Sequence, residues 1–185
     1  MIFTPKAKTG LSNLAGLVAL LFIPFILFSC ELLVKTEPTV AETIAVKGEW
    51  VLGTGEWAES WTITDTSITY GTSYTADIVE FSNSSLNGND TAIVAGGSTV
   101  GLGFAVIKFT SVNGAGTGEL GKYQIFRWAT NSDDASKRDF TQGSKDVDAG
   151  PNYVNEVFET PEAAKTGATI ATSHFLYASQ GASLK

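Results

Sequence analysis

The sequence predicts a mainly β protein: a small antiparallel β-barrel or meander with one short helix near its C-terminus. Two observations lead to this prediction. Between 47 and 129 the chain consists of short runs rich in β-branched and aromatic residues, separated by Gly, Asn, Asp and Ser connectors. No helical period is sustained there, whereas 160–167 combines a helix-start signal with a helix-stop signal.

Five runs in this stretch are predicted to be strands. In the first, Trp61 and Ile63 fall on one face and polar residues fall on the other. The run 100–110 is apolar on both faces in its middle, which predicts a central strand. The segment 83–91 is rich in turn formers and is predicted to be a loop. The predicted strands are 59–64, 67–70, 74–82, 100–110 and 122–129.

The last third of the chain is predicted to be less regular. Thr160 suits the N-cap of a helix, Pro161 its first position and Gly167 its end. The other predicted elements are a polar loop at 131–150 with one helical turn at 133–139, a strand at 153–158 and a closing strand at 169–179.

The composition excludes several classes of protein. A length of 185 residues suits one domain with appendages. The net charge is −7, from 12 Lys+Arg against 19 Asp+Glu, and Arg127 and Arg138 are the two arginines. This balance argues against nucleic-acid binding, which needs a basic face. One Cys and one His cannot form a structural zinc site or an intramolecular disulfide.

No catalytic set emerges from the sequence, and we predict that the protein is not an enzyme. The chain has no Gly-x-Ser-x-Gly elbow. His174 has no identifiable acidic partner and is interpreted as a surface or interface histidine. The stretch 146–150 (DVDAG) resembles the start of a calcium loop, but Gly150 and Pro151 interrupt the pattern. No metal site and no cofactor are therefore predicted.

The N-terminus has the pattern of an export signal. Lys6 and Lys8 precede the uncharged apolar run 14–28, which contains Pro24. This run is shorter than the roughly 20 residues that a spanning helix needs. A basic start and a short apolar core predict a secretory signal peptide at 1–29. The alternative is an N-terminal membrane anchor that stays uncleaved.

The end of that segment, Leu27-Phe28-Ser29-Cys30, resembles the lipobox of bacterial lipoproteins, although Phe28 departs from the usual pattern. The resemblance implies lipidation of Cys30 and cleavage after Ser29. Glu31 at the next position, rather than Asp, implies delivery to the outer membrane by the enterobacterial sorting rule. We expect 30–46 to be a lipid-anchored tether, with a strand at 43–46 as the alternative, and 47–185 to be the barrel-like domain.

The tripeptide Gly48-Glu49-Trp50 resembles the Gly-x-Trp motif on the first strand of lipocalins and related calycin barrels. The resemblance implies that a basic residue of a late strand stacks across Trp50 and closes the barrel. Arg127, within the predicted strand 122–129, is the candidate for this barrel-closing pair. The alternative is that Trp50 is an ordinary core tryptophan.

The domain is dense in aromatic residues, which either fill its core or line a cavity for a small apolar ligand. In the second interpretation Trp57, Trp61 and Tyr74 lie near the rim and bind the ligand. The sequence thus predicts a membrane-anchored lipoprotein of the bacterial envelope that binds a small apolar or amphiphilic ligand. The alternative is a structural or interaction lipoprotein without a cavity; no protein partner is identifiable.

Overall fold

The computed structural model describes residues 42–113, 119–147 and 153–185. They belong to one compact unit, Ala41–Lys185. The predicted signal peptide 1–29, the lipidation site Cys30 and the tether as far as 41 lie outside the described residues. Within the described ranges, no helix is both long and apolar enough to cross a membrane.

Eight antiparallel strands close into a barrel in the order β1-β10-β7-β6-β5-β4-β3-β2, and β8 and β9 form a separate hairpin. One α-helix, α1, precedes the last strand. The predicted mainly β fold with one short helix is confirmed. The elements are β1 (Gly48–Leu52), β2 (Glu59–Ile63), β3 (Ser67–Tyr70), β4 (Tyr74–Ser82), β5 (Gly103–Val112), β6 (Tyr123–Thr130), β7 (Arg138–Gln142), β8 (Ser144–Asp146), β9 (Tyr153–Asn155), α1 (Pro161–Gly167) and β10 (Ser179–Leu184).

The five strands predicted before residue 130 are present as β2 to β6, with ends that differ by at most three residues. The helix is also confirmed, since the Thr160 hydroxyl accepts a hydrogen bond from the Ala163 N–H at 3.2 Å. Pro161 is the first helical residue. These elements form where predicted because their signals are local: strand alternation, turn residues and a helix cap.

Two predictions in the last third are wrong. The stretch 131–150 is not a continuous loop with a helical turn, because it contains β7 and β8. The closing strand is β10 rather than 169–179. Within 169–179, Ile170–Thr172 form a 3₁₀ turn with a capping box at its N-terminus. Ser173 and Phe175, which follow it, adopt φ values of 65° and 58°. Positive φ at two non-glycine residues is incompatible with an extended strand.

The barrel interior is one of two hydrophobic cores. Alternate residues of each strand point inward, as the period-2 geometry of a strand requires. On β6, for example, Phe126 and Trp128 belong to the interior. The interior core consists mainly of aromatic and branched side chains: Trp50, Trp61, Ile63, Ile68, Tyr74, Ile107, Phe109, Phe126, Trp128 and Phe140.

The second core lies on the outer face of β5 and β6. The long β4–β5 connection, α1 and the 3₁₀ turn after it cover this face, so that Val106 and Ile125 are fully buried. This covering layer explains why β5 is apolar on both faces in its middle. The run is a strand buried on both faces, although a closed barrel has no central strand because each of its strands pairs with two neighbours.

The chain enters the barrel at one end and fills that end. Ile44 and Val46 are buried in the interior core. The Trp50 indole N–H donates to the Val46 carbonyl at 2.8 Å, and the Ile44 N–H donates to the Asp65 carboxylate at 3.2 Å. The alternative strand at 43–46 is not formed. We call this the closed end of the barrel. Because Ile44 and Val46 belong to the core, the packing of the domain begins before residue 47.

Candidate functional site

The opposite end of the barrel opens into a cavity of about 630 Å³. We call it the mouth cavity. Its lining comes from strand ends that meet there: the end of β1, the start of β2, the end of β7 and the start of β10. The lining residues are Leu52, Glu59, Trp61, Tyr70, Phe126, Phe140, Thr141, Gln142, Ser144, Tyr153, Tyr177, Ala178, Ser179 and Gln180.

Stacked aromatic rings form the floor of the mouth cavity. The Trp61 ring lies 5.3 Å from the Tyr70 ring and 4.9 Å from the Phe140 ring, measured between centroids. Phe126 continues the stack, with its centroid 5.4 Å from that of Phe140. Cross-strand pairing places these rings together, since Trp61 on β2 lies opposite Tyr70 on β3. A contiguous aromatic floor suits the apolar part of a ligand.

Polar groups surround this floor. One oxygen of Glu59, Oε2, accepts hydrogen bonds from the Ser179 hydroxyl at 2.6 Å and the Tyr70 hydroxyl at 3.3 Å. Burial, and then the nearby Glu59 carboxylate, raise the pKa of Tyr70 to about 12. The Gln142 amide donates to the Tyr74 hydroxyl. Burial raises the pKa of Tyr74 as well, so both phenols are neutral at physiological pH.

The three predicted ligand-binding residues have different positions. Trp61 lines the mouth cavity and is 4% exposed. Tyr74 is buried behind the lining and contacts it through Gln142. Trp57 is 91% exposed on the β1–β2 connection and does not line the cavity. The structure therefore brings only one of the three predicted residues to the cavity surface.

The predicted pair of Trp50 and Arg127 is not formed. Arg127 lies between Phe126 and Trp128, which point inward, so its side chain points out of the barrel into the second core. The guanidinium nearest to Trp50 is that of Arg138, 5.7 Å from the ring centroid. Arg138 lies on β7, whereas the predicted partner, Arg127, lies on β6.

Arg127 instead connects the barrel to its covering layer. Its guanidinium is fully buried, forms an ion pair with Asp90 and donates to the Asn87 side chain at 2.8 Å. The guanidinium carbon also lies 3.4 Å from the centroid of the Phe175 ring. Asp90 in turn accepts from the Ile170 N–H. This network links the β4–β5 connection to the segment after α1.

The interpretation of His174 as a surface or interface residue is wrong. His174 is 2% exposed, and its Nε2 lies 3.0 Å from a Glu156 carboxylate oxygen. Glu156 also pairs with Lys145 at 3.2 Å. Burial lowers the pKa of His174, although Glu156 opposes this shift. The acidic partner could not be found from sequence because 18 positions separate the two residues.

No group of three or more His, Cys, Asp or Glu side chains that could hold a metal ion occurs among the residues that the structure describes. Most of the 146–150 stretch, namely 148–150, lies outside those residues.

Sequence reasoning missed most of the lining. Glu59 was assigned to a predicted strand but not to a site, although it shares its strand face with Trp61 and Ile63. Phe140 and Gln142 fall within the predicted loop 131–150 and are therefore not predicted as site residues. Their spacing of two residues was the available signal for an inward-facing strand.

Comparison of the chain with protein-family models, with curated proteins and with solved structures finds no match. The chemistry of the site therefore follows from its own geometry. An aromatic floor, a polar rim and an open mouth can hold a small molecule with an apolar body and a polar group.

Proposed function

We propose that this protein is a lipid-anchored lipoprotein of the bacterial envelope whose barrel binds a small amphiphilic ligand in the mouth cavity. The observation that carries the proposal is the cavity itself, about 630 Å³ in volume with aromatic residues at its floor. Ligand sites in proteins typically have volumes of about 300–1,000 Å³. In this cavity the aromatic floor is combined with a lining that is more polar than apolar.

The two ends of the barrel differ in a way that supports this function. The closed end is filled by Ile44 and Val46, whereas the mouth is lined but not filled. Trp50 lies toward the closed end, where its indole N–H donates to the Val46 carbonyl and the Arg138 guanidinium lies 5.7 Å from its ring centroid. The described chain begins at Glu42, which accepts a hydrogen bond from Asn83 beside the closed end.

Two matched tryptophan variants test ligand binding. Trp61→Phe should weaken the binding of a naphthalene-type fluorescent probe by about fivefold, because part of the aromatic floor is lost. Trp57→Phe should leave the probe affinity unchanged, since Trp57 lies outside the lining. Both variants replace one indole by a phenyl ring, so the two substitutions are chemically matched. Equal affinities for the two variants would contradict the assignment of the cavity as the site.

The anchor requires a separate test. Cys30 follows the apolar run 14–28 and is the sole cysteine of the chain. Two or three acyl chains at this residue would hold the protein on a membrane, which a single chain does only reversibly. Metabolic labelling with a fatty acid should mark the wild type but not Cys30→Ala. Equal labelling of both proteins would exclude lipidation at Cys30, and cell fractionation would test the outer-membrane location implied by Glu31.

A structural or interaction role remains the second candidate, and the exposed side chain of Trp57 favours it. A tryptophan that is 91% exposed on a loop beside the mouth is a common feature of contact surfaces. This candidate predicts that Trp57→Phe weakens the capture of a partner while no ligand saturates the cavity. The titrations described above therefore distinguish the two functions.

A further inference from the structure

We infer that the mouth cavity selects ligands with a cationic head on an apolar body, and that Glu59 is the residue that recognises the cation. The inference rests on the proposed binding function and specifies the chemical class of the ligand. It extends the earlier prediction of an apolar ligand by assigning the sign of the polar group.

Among the described residues that line the mouth cavity, one carries a carboxylate and none carries a basic group. Glu59 is the single Asp or Glu among them, and Lys, Arg and His do not occur. Within the described residues, Glu59 forms no ion pair, so its negative charge is not compensated. Lys145, adjacent in sequence to the lining residue Ser144, pairs with Glu156 at 3.2 Å instead.

The hydrogen bonds of Glu59 leave one of its carboxylate oxygens, Oε1, available to a ligand. Glu59 shares the inward face of β2 with Trp61, so its carboxylate lies above the aromatic floor. Both of its hydrogen bonds, from Ser179 at 2.6 Å and from Tyr70 at 3.3 Å, reach the same oxygen, Oε2. The other oxygen, Oε1, has no donor among the described residues. A ligand ammonium group can therefore occupy that position and receive a charge-assisted hydrogen bond.

The aromatic lining would stabilise the same charge. The Trp61 and Tyr70 rings stack at 5.3 Å beside Glu59, and Tyr153 and Tyr177 form a second pair at 6.4 Å in the lining. A cation over the face of an aromatic ring, within about 6 Å of the ring centroid, is attracted by the ring's quadrupole. The carboxylate and the rings therefore favour the same ligand charge.

The same groups disfavour the binding of an anionic ligand. The hydroxyls of Tyr70 and Ser179 already donate to Glu59, so they are not available to a ligand carboxylate. A carboxylate placed in the cavity would also lie near an uncompensated like charge, which is unfavourable in a partly desolvated site. Fatty acids should bind more weakly than amines with the same apolar tail.

Three probes that share one apolar tail test the inference: phenylbutylamine, phenylbutanol and phenylbutanoate. We would titrate each, by calorimetry at neutral pH, into the full chain held in phosphatidylcholine nanodiscs, and subtract titrations into empty nanodiscs. The amine should bind at least about tenfold more tightly than the carboxylate, with the alcohol between them. This comparison needs no variant and therefore does not depend on the stability of one.

Two glutamate variants then identify the residue responsible. Glu59→Gln should reduce the preference for the amine to within about twofold, because the amide keeps its acceptor oxygen but loses the charge. Glu49→Gln is the matched control, since Glu49 is exposed on β1, lies 3.7 Å from Lys185 and is absent from the lining. It removes the same net charge and should keep the full preference. Circular dichroism of each variant checks that the fold is retained.

The outcomes separate the inference from the function on which it rests. If phenylbutanol binds but the amine and the carboxylate bind equally well, the charge selectivity is wrong and the proposed binding function stands. A preference for the amine that survives Glu59→Gln would overturn the role of Glu59. If none of the three probes binds, both the proposed function and the inference are wrong.

Discussion

The buried ion pair between Arg127 and Asp90 should be a main determinant of the stability of the domain. The Arg127 guanidinium is fully buried, and the Asp90 side chain is 9% exposed. Burial lowers the pKa of Arg127 to about 10, although the hydrogen bond to Asp90 opposes this shift. The arginine is therefore still charged at neutral pH, and the pair is ionic.

The expected magnitude follows from what each substitution leaves behind. Arg127→Met removes the donors to Asp90 and Asn87. Among the described residues, Asp90 then keeps the Ile170 N–H as its single donor, at 3.1 Å and 3.2 Å from its two oxygens. Removing one partner of a buried pair costs about 3–5 kcal/mol, because the remaining charge is buried without compensation. We expect a loss of this size in the free energy of unfolding.

A double-mutant cycle measures the coupling directly. Asp90→Asn keeps the shape of the side chain and should cost about 2–4 kcal/mol alone. The double variant carries neither charge, so its cost should be at least about 1.5 kcal/mol smaller than the sum of the single costs. Urea unfolding, followed by tryptophan emission and by circular dichroism, would give the four free energies.

The exposed pair between Lys122 and Glu159 provides a matched control. Their side chains are 29% and 80% exposed, so Lys122→Met should cost less than about 1 kcal/mol. If Arg127→Met costs no more than this control, the pair does not hold the covering layer on the barrel. Additive costs in the cycle would show that the two residues act independently.

Two further predictions concern stability. Burial lowers the pKa of His174 from its ordinary value near 6.5, so below that pH the unfolded chain binds a proton that the folded protein does not. The free energy of unfolding should therefore fall as the pH drops below about 6.5, by at most about 1.4 kcal/mol per pH unit. In urea unfolding, His174→Gln should show a shallower dependence of this free energy on pH. Parallel pH profiles for the two proteins would contradict the prediction. Gly103→Ala should cost about 1–3 kcal/mol, because a Cβ at this position would overlap the Trp128 indole ring. Gly143→Ala is its control, with a nearest contact of 3.5 Å and an expected change within about 0.5 kcal/mol, and equal melting temperatures for both variants would refute the packing argument.

The sequence by itself determined the class of the fold and several of its elements. The alternation of Trp61 and Ile63 identified the inward face of β2, and Thr160 and Pro161 identified the start of α1. Such signals involve residues within a few positions of one another. They are therefore readable without knowledge of what the element packs against.

Only the tertiary structure decided which distant residues meet. Arg127 and Arg138 both lie in barrel strands. The covering layer buries Arg127 outside the barrel, whereas the Arg138 guanidinium lies 5.7 Å from the Trp50 ring. Likewise, the carboxylate of Glu59 joins Ser179 only because β10 closes the barrel, 120 positions further along the chain. Strand alternation assigns a residue to a face, whereas the partner on that face depends on strand order, register and covering elements. Those properties are set by the closure of the whole sheet and not by any local run of residues.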